Sequence, residues 1–264
     1  MRAGLEMKNN SQPYFQNTQM KGNSINHSGS DVGVLLLHGF TATTVEVGKL
    51  ANLFIKDGFT VSAPLLPGHN TTPKELNTVK YSDWVRCVDS AYQKIRNTCR
   101  KVLVCGESMG GVLSLMLAQK YCEIDAVFCF SAALLVGRLR YSKYIMHFQP
   151  FLDKNLPEDG LPWQGYTVYP TRAANEFFKL TKQVKRSLSK VISPTLLFQG
   201  NFDKTIDREN MEFIFHAIRS PIKQMEWMPA SGHVMLLDNE LESIYGRIGK
   251  FISDHQILEP HAGL

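Results

Sequence analysis

The sequence predicts an α/β architecture, a mostly parallel sheet with helices on both faces and a small insertion. Three observations predict it. Apolar strand-like runs alternate with helical patterns along most of the chain, one such run leads through a glycine-rich turn directly into a helix, and the alternation fails only between residues 134 and 190.

Taken in order, the strands are read at residues 32–37, 60–63, 102–105, 126–130, 195–198 and 223–228, and the helices at 46–56, 81–97, 109–121 and 207–219. The first run ends in the turn His38-Gly39. Residues 112–118, Val-Leu-Ser-Leu-Met-Leu-Ala, make a good helix whose N-terminus is a tight turn. The run at 195–198 is bounded by Gly200-Asn201, and Asp207-Arg208-Glu209 reads as a helix start with acids in the first turn. Residues 223–228 alternate polar and apolar, as a strand with one buried face does. In such a sheet the ligand site gathers at the carboxyl ends of the strands.

The glycine-rich turn is Gly106-Glu107-Ser108-Met109-Gly110-Gly111. With glycine at about 7% of an average chain, a bare G-x-S-x-G arises by chance in on the order of one chain in ten of this length. Its setting between an apolar strand and a helix is what gives it weight, because a strand–G-x-S-x-G–helix is the nucleophile elbow. The chain turns so sharply at the serine that side chains at Gly106 and Gly110 would collide with neighbouring strands. The same turn aims the Met109 N–H at the point that the Ser108 hydroxyl faces.

A serine hydroxyl needs a base, and where the chain order is nucleophile, acid, histidine, the base lies downstream. His147, His216, His233, His255 and His261 qualify by order. His233 follows a strand in the loop Ser231-Gly232-His233, whereas His216 sits inside a helical pattern, His255 and His261 near the chain end, and His147 in the insertion. Asp203, just past the strand at 195–198, is placed to orient the imidazole. It also reads as a turn residue that bonds nearby backbone N–H groups. Asp207 is the rival acid. The second oxyanion donor is expected from the Phe40 N–H, beside that of Met109, with His38 packed beneath as scaffold.

His38-Gly39-Phe40-Thr41, Pro67-Gly68-His69, the elbow, Asp203 and Ser231-Gly232-His233-Val234 together resemble α/β-hydrolase-fold serine carboxylesterases, in particular the small bacterial thermostable carboxylesterases and monoacylglycerol lipases. The likeness runs from about residue 32 to about residue 252, with Asn70 standing where that family often has glycine. It implies hydrolysis of short- to medium-chain esters or monoacylglycerols through an acyl-enzyme, with an apolar acyl pocket beneath a cap. The same triad could serve a thioesterase or an amidase, and a hydrolase-like receptor could keep the residues while binding a ligand.

Composition suits a single enzyme domain of 264 residues, 44% hydrophobic. The expected organisation is a disordered or loosely attached tail over residues 1–30, then one α/β-hydrolase domain over 31–264 with a cap insertion at about 134–190. No apolar stretch is long enough to cross a bilayer, and no secretory apolar segment stands at the N-terminus. Five cysteines without C-x-x-C spacing point to free thiols in a reducing compartment, hence the cytoplasm. No metal or organic cofactor is implied: H-E-x-x-H, zinc-type Cys/His spacing and a P-loop are all missing.

Residues 134–190 carry ten Lys and Arg against four Asp and Glu, while the rest of the chain carries 19 against 20. The positive excess therefore belongs to the insertion. Lys179, Lys182, Lys185 and Arg186 read as the solvated face of a helix whose other face is Phe177, Leu180, Val184 and Leu188. The competing expectation is a transient lipid interface or a preference for anionic head groups. Nucleic acid is not expected as a partner, for no recognised module accompanies the basic stretch.

Overall fold

The computed structural model describes residues 20–154 and 160–258. Its first strand, β1 (Ile25–His27), is followed by β2 (Val32–Leu37), α1 (Val45–Lys56), β3 (Thr60–Ala63), the single turn α2 (Pro73–Leu76) and α3 (Tyr81–Arg96). Next come β4 (Lys101–Glu107), α4 (Met109–Lys120) and β5 (Ala126–Phe130). The insertion holds a 3-10 turn (Gly137–Tyr141), α5 (Ser142–Ile145), the hairpin strands β6 (Phe151–Asp153) and β7 (Val168–Pro170), and α6 (Thr171–Arg186). The chain then returns through β8 (Thr195–Gly200), α7 (Glu209–Ala217), β9 (Lys223–Met228) and α8 (Leu241–Asp254).

Seven strands form one sheet in the order β1-β3-β2-β4-β5-β8-β9, and every pairing in it is parallel except that of β1 with β3. This is the α/β-hydrolase architecture that the sequence predicts. One expectation needs correction. The sequence reads as a disordered or loosely attached tail up to residue 30, yet Ile25–His27 pairs with residues 61–63 as an antiparallel edge strand. Residues 1–19 of that expected tail lie outside the described residues.

Strand alternation sends side chains to two separate cores. Leu35, Leu37, Val102, Val104, Val127 and Cys129 pack with α3, α4, α6 and α7 on one face. Val34, Leu36, Leu103, Cys105, Phe128 and Phe130 pack with α1 and α8 on the other. Helix α4 has no polar face: residues 109–118 are all buried, between the sheet and α6 of the insertion. Helix α6 is strongly two-faced, with Phe177, Leu180 and Val184 buried and Lys179, Lys182, Lys185 and Arg186 exposed. The basic residues of α6 are thus a solvated helix face.

The chain runs from β2 outward to β3, then crosses back to β4 on the other side of β2. The loops after β2 and β4 therefore leave neighbouring strand ends in divergent directions, at the switch point where open α/β sheets hold ligands. Leu37 is in register with Gly106, which sets the His38–Thr41 loop beside the elbow.

Candidate active site

Ser108 has φ 55° and ψ −114°, a left-handed strained conformation at the junction of β4 and α4. The glycines make it possible. A Cβ on Gly106 would lie 2.2 Å from the Gly110 carbonyl, and one on Gly110 would lie 1.9 Å from the Leu37 oxygen. No side chain fits at either place. The Ser108 N–H donates to the Phe130 carbonyl at 2.9 Å, and its own carbonyl accepts from Ala133 at 3.0 Å, so β5 braces the turn from the far side.

His233, in the loop after β9, places Nε2 3.0 Å from the Ser108 hydroxyl oxygen and Nδ1 2.9 Å from Asp203 Oδ2. The structure thus joins Ser108, His233 and Asp203 in one hydrogen-bonded chain. Asp203 has a second task, because its Oδ1 accepts the N–H groups of Thr205 at 2.8 Å and Ile206 at 3.0 Å. The same Asp203 side chain thus faces the His233 imidazole and also bonds the N–H groups of its own turn. Burial alone would raise its pKa, but the His233 hydrogen bond and charge and the two N–H donors outweigh it and hold the carboxyl below its usual range. Asp207 is exposed and takes no part in this chain. In this arrangement the imidazole can accept the hydroxyl proton while Asp203 fixes its tautomer.

The loop after β2 closes against Ser108: a Cβ on Gly39 would lie 3.1 Å from the Ser108 Cβ. Met109, the first residue of α4, leaves its N–H without an intrahelical acceptor, as helix starts do. Beneath the loop, His38 is fully buried; its Nε2 accepts the Leu66 N–H at 3.1 Å and its Nδ1 faces the Gly39 carbonyl at 2.9 Å. Burial lowers its pKa to about 4, with the Gly39 carbonyl opposing, so it is a neutral scaffold. His69 repeats the device, its Nε2 accepting the Thr41 N–H at 3.1 Å. Asn70, at the family's glycine position, has φ 55°, and asparagine is among the residues that tolerate this region, so the loop keeps its turn.

Three charged residues near the site were not singled out from the sequence. Glu46, buried at the start of α1, accepts the Gly39 N–H and senses the charges of His233 and Lys154. Burial raises its pKa despite these partners. Glu107 is fully buried beside Ser108, and its Oε1 accepts the Leu236 N–H at 3.2 Å. Burial first, and the Glu46 charge second, push its pKa well above the carboxylate range. Lys154 reaches in from the insertion to bond the Thr41 hydroxyl, with its ammonium 4.6 Å from the Trp163 ring and 4.8 Å from the Tyr169 ring. Desolvation brings its pKa down to about 7, against the pull of Glu46. Nearby, the Tyr166 N–H donates to the Thr41 carbonyl at 2.9 Å and Ala42 bridges Gly165. The insertion is fastened to the loop beside Ser108 at these contacts.

An open groove of about 440 Å³ lies elsewhere, between β1, β3 and α3, and no member of the Ser108 chain lines it. Among the described residues, no cluster of His, Cys, Asp and Glu could hold a metal ion.

The family model described as Serine aminopeptidase, S33 (Hydrolase_4) matches residues 30–172 and 164–240. The chain belongs to this hydrolase family. It is 29% identical over 228 residues to a thermostable monoacylglycerol lipase of Bacillus sp. (strain H-257), a match spanning 85% of this chain and 91% of that protein. It is 28% identical over 233 residues to a carboxylesterase of Bacillus subtilis (strain 168), spanning 85% and 93%. A solved structure described with LipS and LipT, two metagenome-derived lipolytic enzymes, is 30% identical. It superposes with a TM-score of 0.85 over 89% of this chain and 98% of its own. The hydrolase motifs read from the sequence and this fold therefore identify the same family.

Proposed function

We propose that this hydrolase is a serine carboxylesterase that cleaves short- to medium-chain carboxylic esters or monoacylglycerols through an acyl-enzyme. The observation that carries the reading is the Asp203–His233–Ser108 chain, with spacings of 2.9 and 3.0 Å, at a strained elbow. Relatives named monoacylglycerol lipase and carboxylesterase support the substrate class.

In this mechanism His233 Nε2 takes the Ser108 proton as the hydroxyl oxygen attacks the ester carbonyl. Asp203 stabilises the imidazolium that forms. The Phe40 and Met109 N–H groups hold the oxyanion, each worth about 2.7–4 kcal/mol to the transition state. His233 then returns its proton to the leaving alcohol, and the alcohol departs. Water, deprotonated by the same imidazole, attacks the acyl-enzyme and frees the acid. The acyl chain is assigned to the side of the insertion that faces Ser108, where the packed rings of Phe40 and Phe177, 5.5 Å apart, offer an apolar wall. The small-molecule ester is the partner proposed for this site, and no metal or cofactor is assigned to it.

All five cysteines are unpaired, which supports a reducing compartment and the cytoplasm as the site of action. The deciding experiment is turnover of p-nitrophenyl esters from two to sixteen acyl carbons, with monoacylglycerols and an aminoacyl anilide alongside and Ser108→Ala as control. A Ser108-dependent optimum on esters is expected. Preference for the anilide would move the reading to an amidase, and tight ligand binding without turnover would move it to a receptor.

A further inference from the structure

The insertion exposes large aromatic side chains outside the core. Tyr141, Tyr144 and Phe148 are 48%, 61% and 89% exposed, half of the six large exposed apolar side chains among the described residues, and all fall within α5 and its immediate flanks. Arg138 and Arg140 precede them and Lys143 stands among them, all three exposed, and residues 134–152 contain no Asp or Glu. Among the described residues none of these three cations pairs with a carboxylate. Instead two of them lie over the neighbouring aromatic rings: Arg140 over Tyr141 at 4.7 Å and Lys143 over Tyr144 at 4.5 Å.

We propose that residues 137–148 form an interfacial docking face for an anionic lipid surface. Cations with apolar stems beside Tyr and Phe rings match the layered boundary of a leaflet, where phosphates meet the acyl region. A nucleic acid would use the cations but leaves an almost fully exposed Phe148 unexplained. A purely apolar partner would leave three unpaired charges. The charged face of α6 is a different feature, since its apolar side is already buried against the core.

The placement gives the face a purpose. Ala133 bonds the Ser108 carbonyl, Leu134 and Leu135 bond Asn210 Oδ1, and the chain then leaves directly into this segment. A leaflet gripped here lies beside the site where an ester would enter. Only this last point rests on the ester-hydrolase reading.

The test is co-sedimentation of the full chain with vesicles of phosphatidylcholine alone and of equal parts phosphatidylcholine and phosphatidylglycerol. Binding is expected to the anionic vesicles and to fall with added salt. Each cation near an anionic surface is worth roughly a fivefold factor, so R138S/R140S/K143S should weaken partitioning on the order of a hundredfold. Y144S/F148S should weaken it at low and high salt alike. Equal partitioning to both vesicles, or undiminished binding by the triple variant, overturns the proposal. So does preferential capture of duplex DNA, or a dimer that Y144S/F148S dissolves. Turnover of a water-soluble ester is measured in parallel and should be unchanged in both variants. Absent turnover with intact anionic-vesicle binding would sink the esterase reading and leave this one standing.

Discussion

The Glu107 carboxylate accepts the Leu236 backbone N–H at 3.2 Å, so the residue before Ser108 holds the loop that carries His233. Both groups are buried, and among the described residues Glu107 Oε2 takes no hydrogen bond. Burial and the neighbouring Glu46 favour the protonated acid, a neutral group that still offers an acceptor oxygen. Glu107→Gln keeps that acceptor and should remain near the wild type in stability and turnover. Glu107→Leu leaves the Leu236 N–H unbonded, a loss of about 1–3 kcal/mol. Urea unfolding of the two variants checks this, and equal midpoints would remove Glu107 from the support of the loop.

Within the hydrogen-bonded chain, Ser108→Ala and His233→Ala should each abolish ester turnover while leaving the far-ultraviolet dichroism unchanged. Asp203→Asn should reduce kcat by about 10⁴, because the amide favours the wrong imidazole tautomer. Asp207→Asn should have no effect, since that side chain is exposed. A loss confined to Asp207→Asn would reassign the acid.

Gly110→Ala tests the elbow. The added methyl would stand 1.9 Å from the Leu37 carbonyl oxygen, a backbone atom, where no rotamer relieves the clash. The cost should be at or above the upper end of the 1–3 kcal/mol typical of overpacking, so about 3 kcal/mol or more. Thermal unfolding should show a lowered Tm together with lost turnover. An active variant with an unchanged Tm would mean that the two loops can part without harm.

Stability should fall in acid through His38. Its pKa is about 4 in the folded protein against 6.5 for a free histidine, so the unfolded chain binds the proton more readily. The stabilising contribution is complete above pH 6.5 and is lost as pH drops from 6.5 towards 4, amounting to about 3 kcal/mol across that window. His69, whose pKa is also well below normal through burial and the His38 charge, adds a loss of the same sign. His38→Gln should flatten the dependence of the urea midpoint on pH between 6.5 and 4. An unaltered slope would show that other groups govern it.

The sequence was legible where the signal is local. The runs at 60–63, 126–130 and 223–228 coincide with strands, and the helices at 81–97 and 109–121 differ from those observed by a single residue. Asp207-Arg208 lies just outside α7, which starts at Glu209, because Asp207 closes a turn whose carbonyl accepts from Asn210 and Gln199. Strand β1 escaped because Ile-Asn-His has no periodicity to display; only pairing with β3 makes it a strand. The hairpin of β6 and β7 escaped for the same reason. Ser108, Asp203 and His233 announced themselves by turn chemistry at strand ends. Glu46, Glu107 and Lys154 did not, since a buried charge reads as a surface residue until the fold brings its partners from far along the chain.

Helix α4 is enclosed by the sheet and by α6, and Ser108 sits at its buried end. Warming therefore has no frayed edge there through which to loosen the site ahead of the rest. Heat inactivation should track the cooperative collapse of the whole domain, and the working half-life of the serine becomes that of the fold itself.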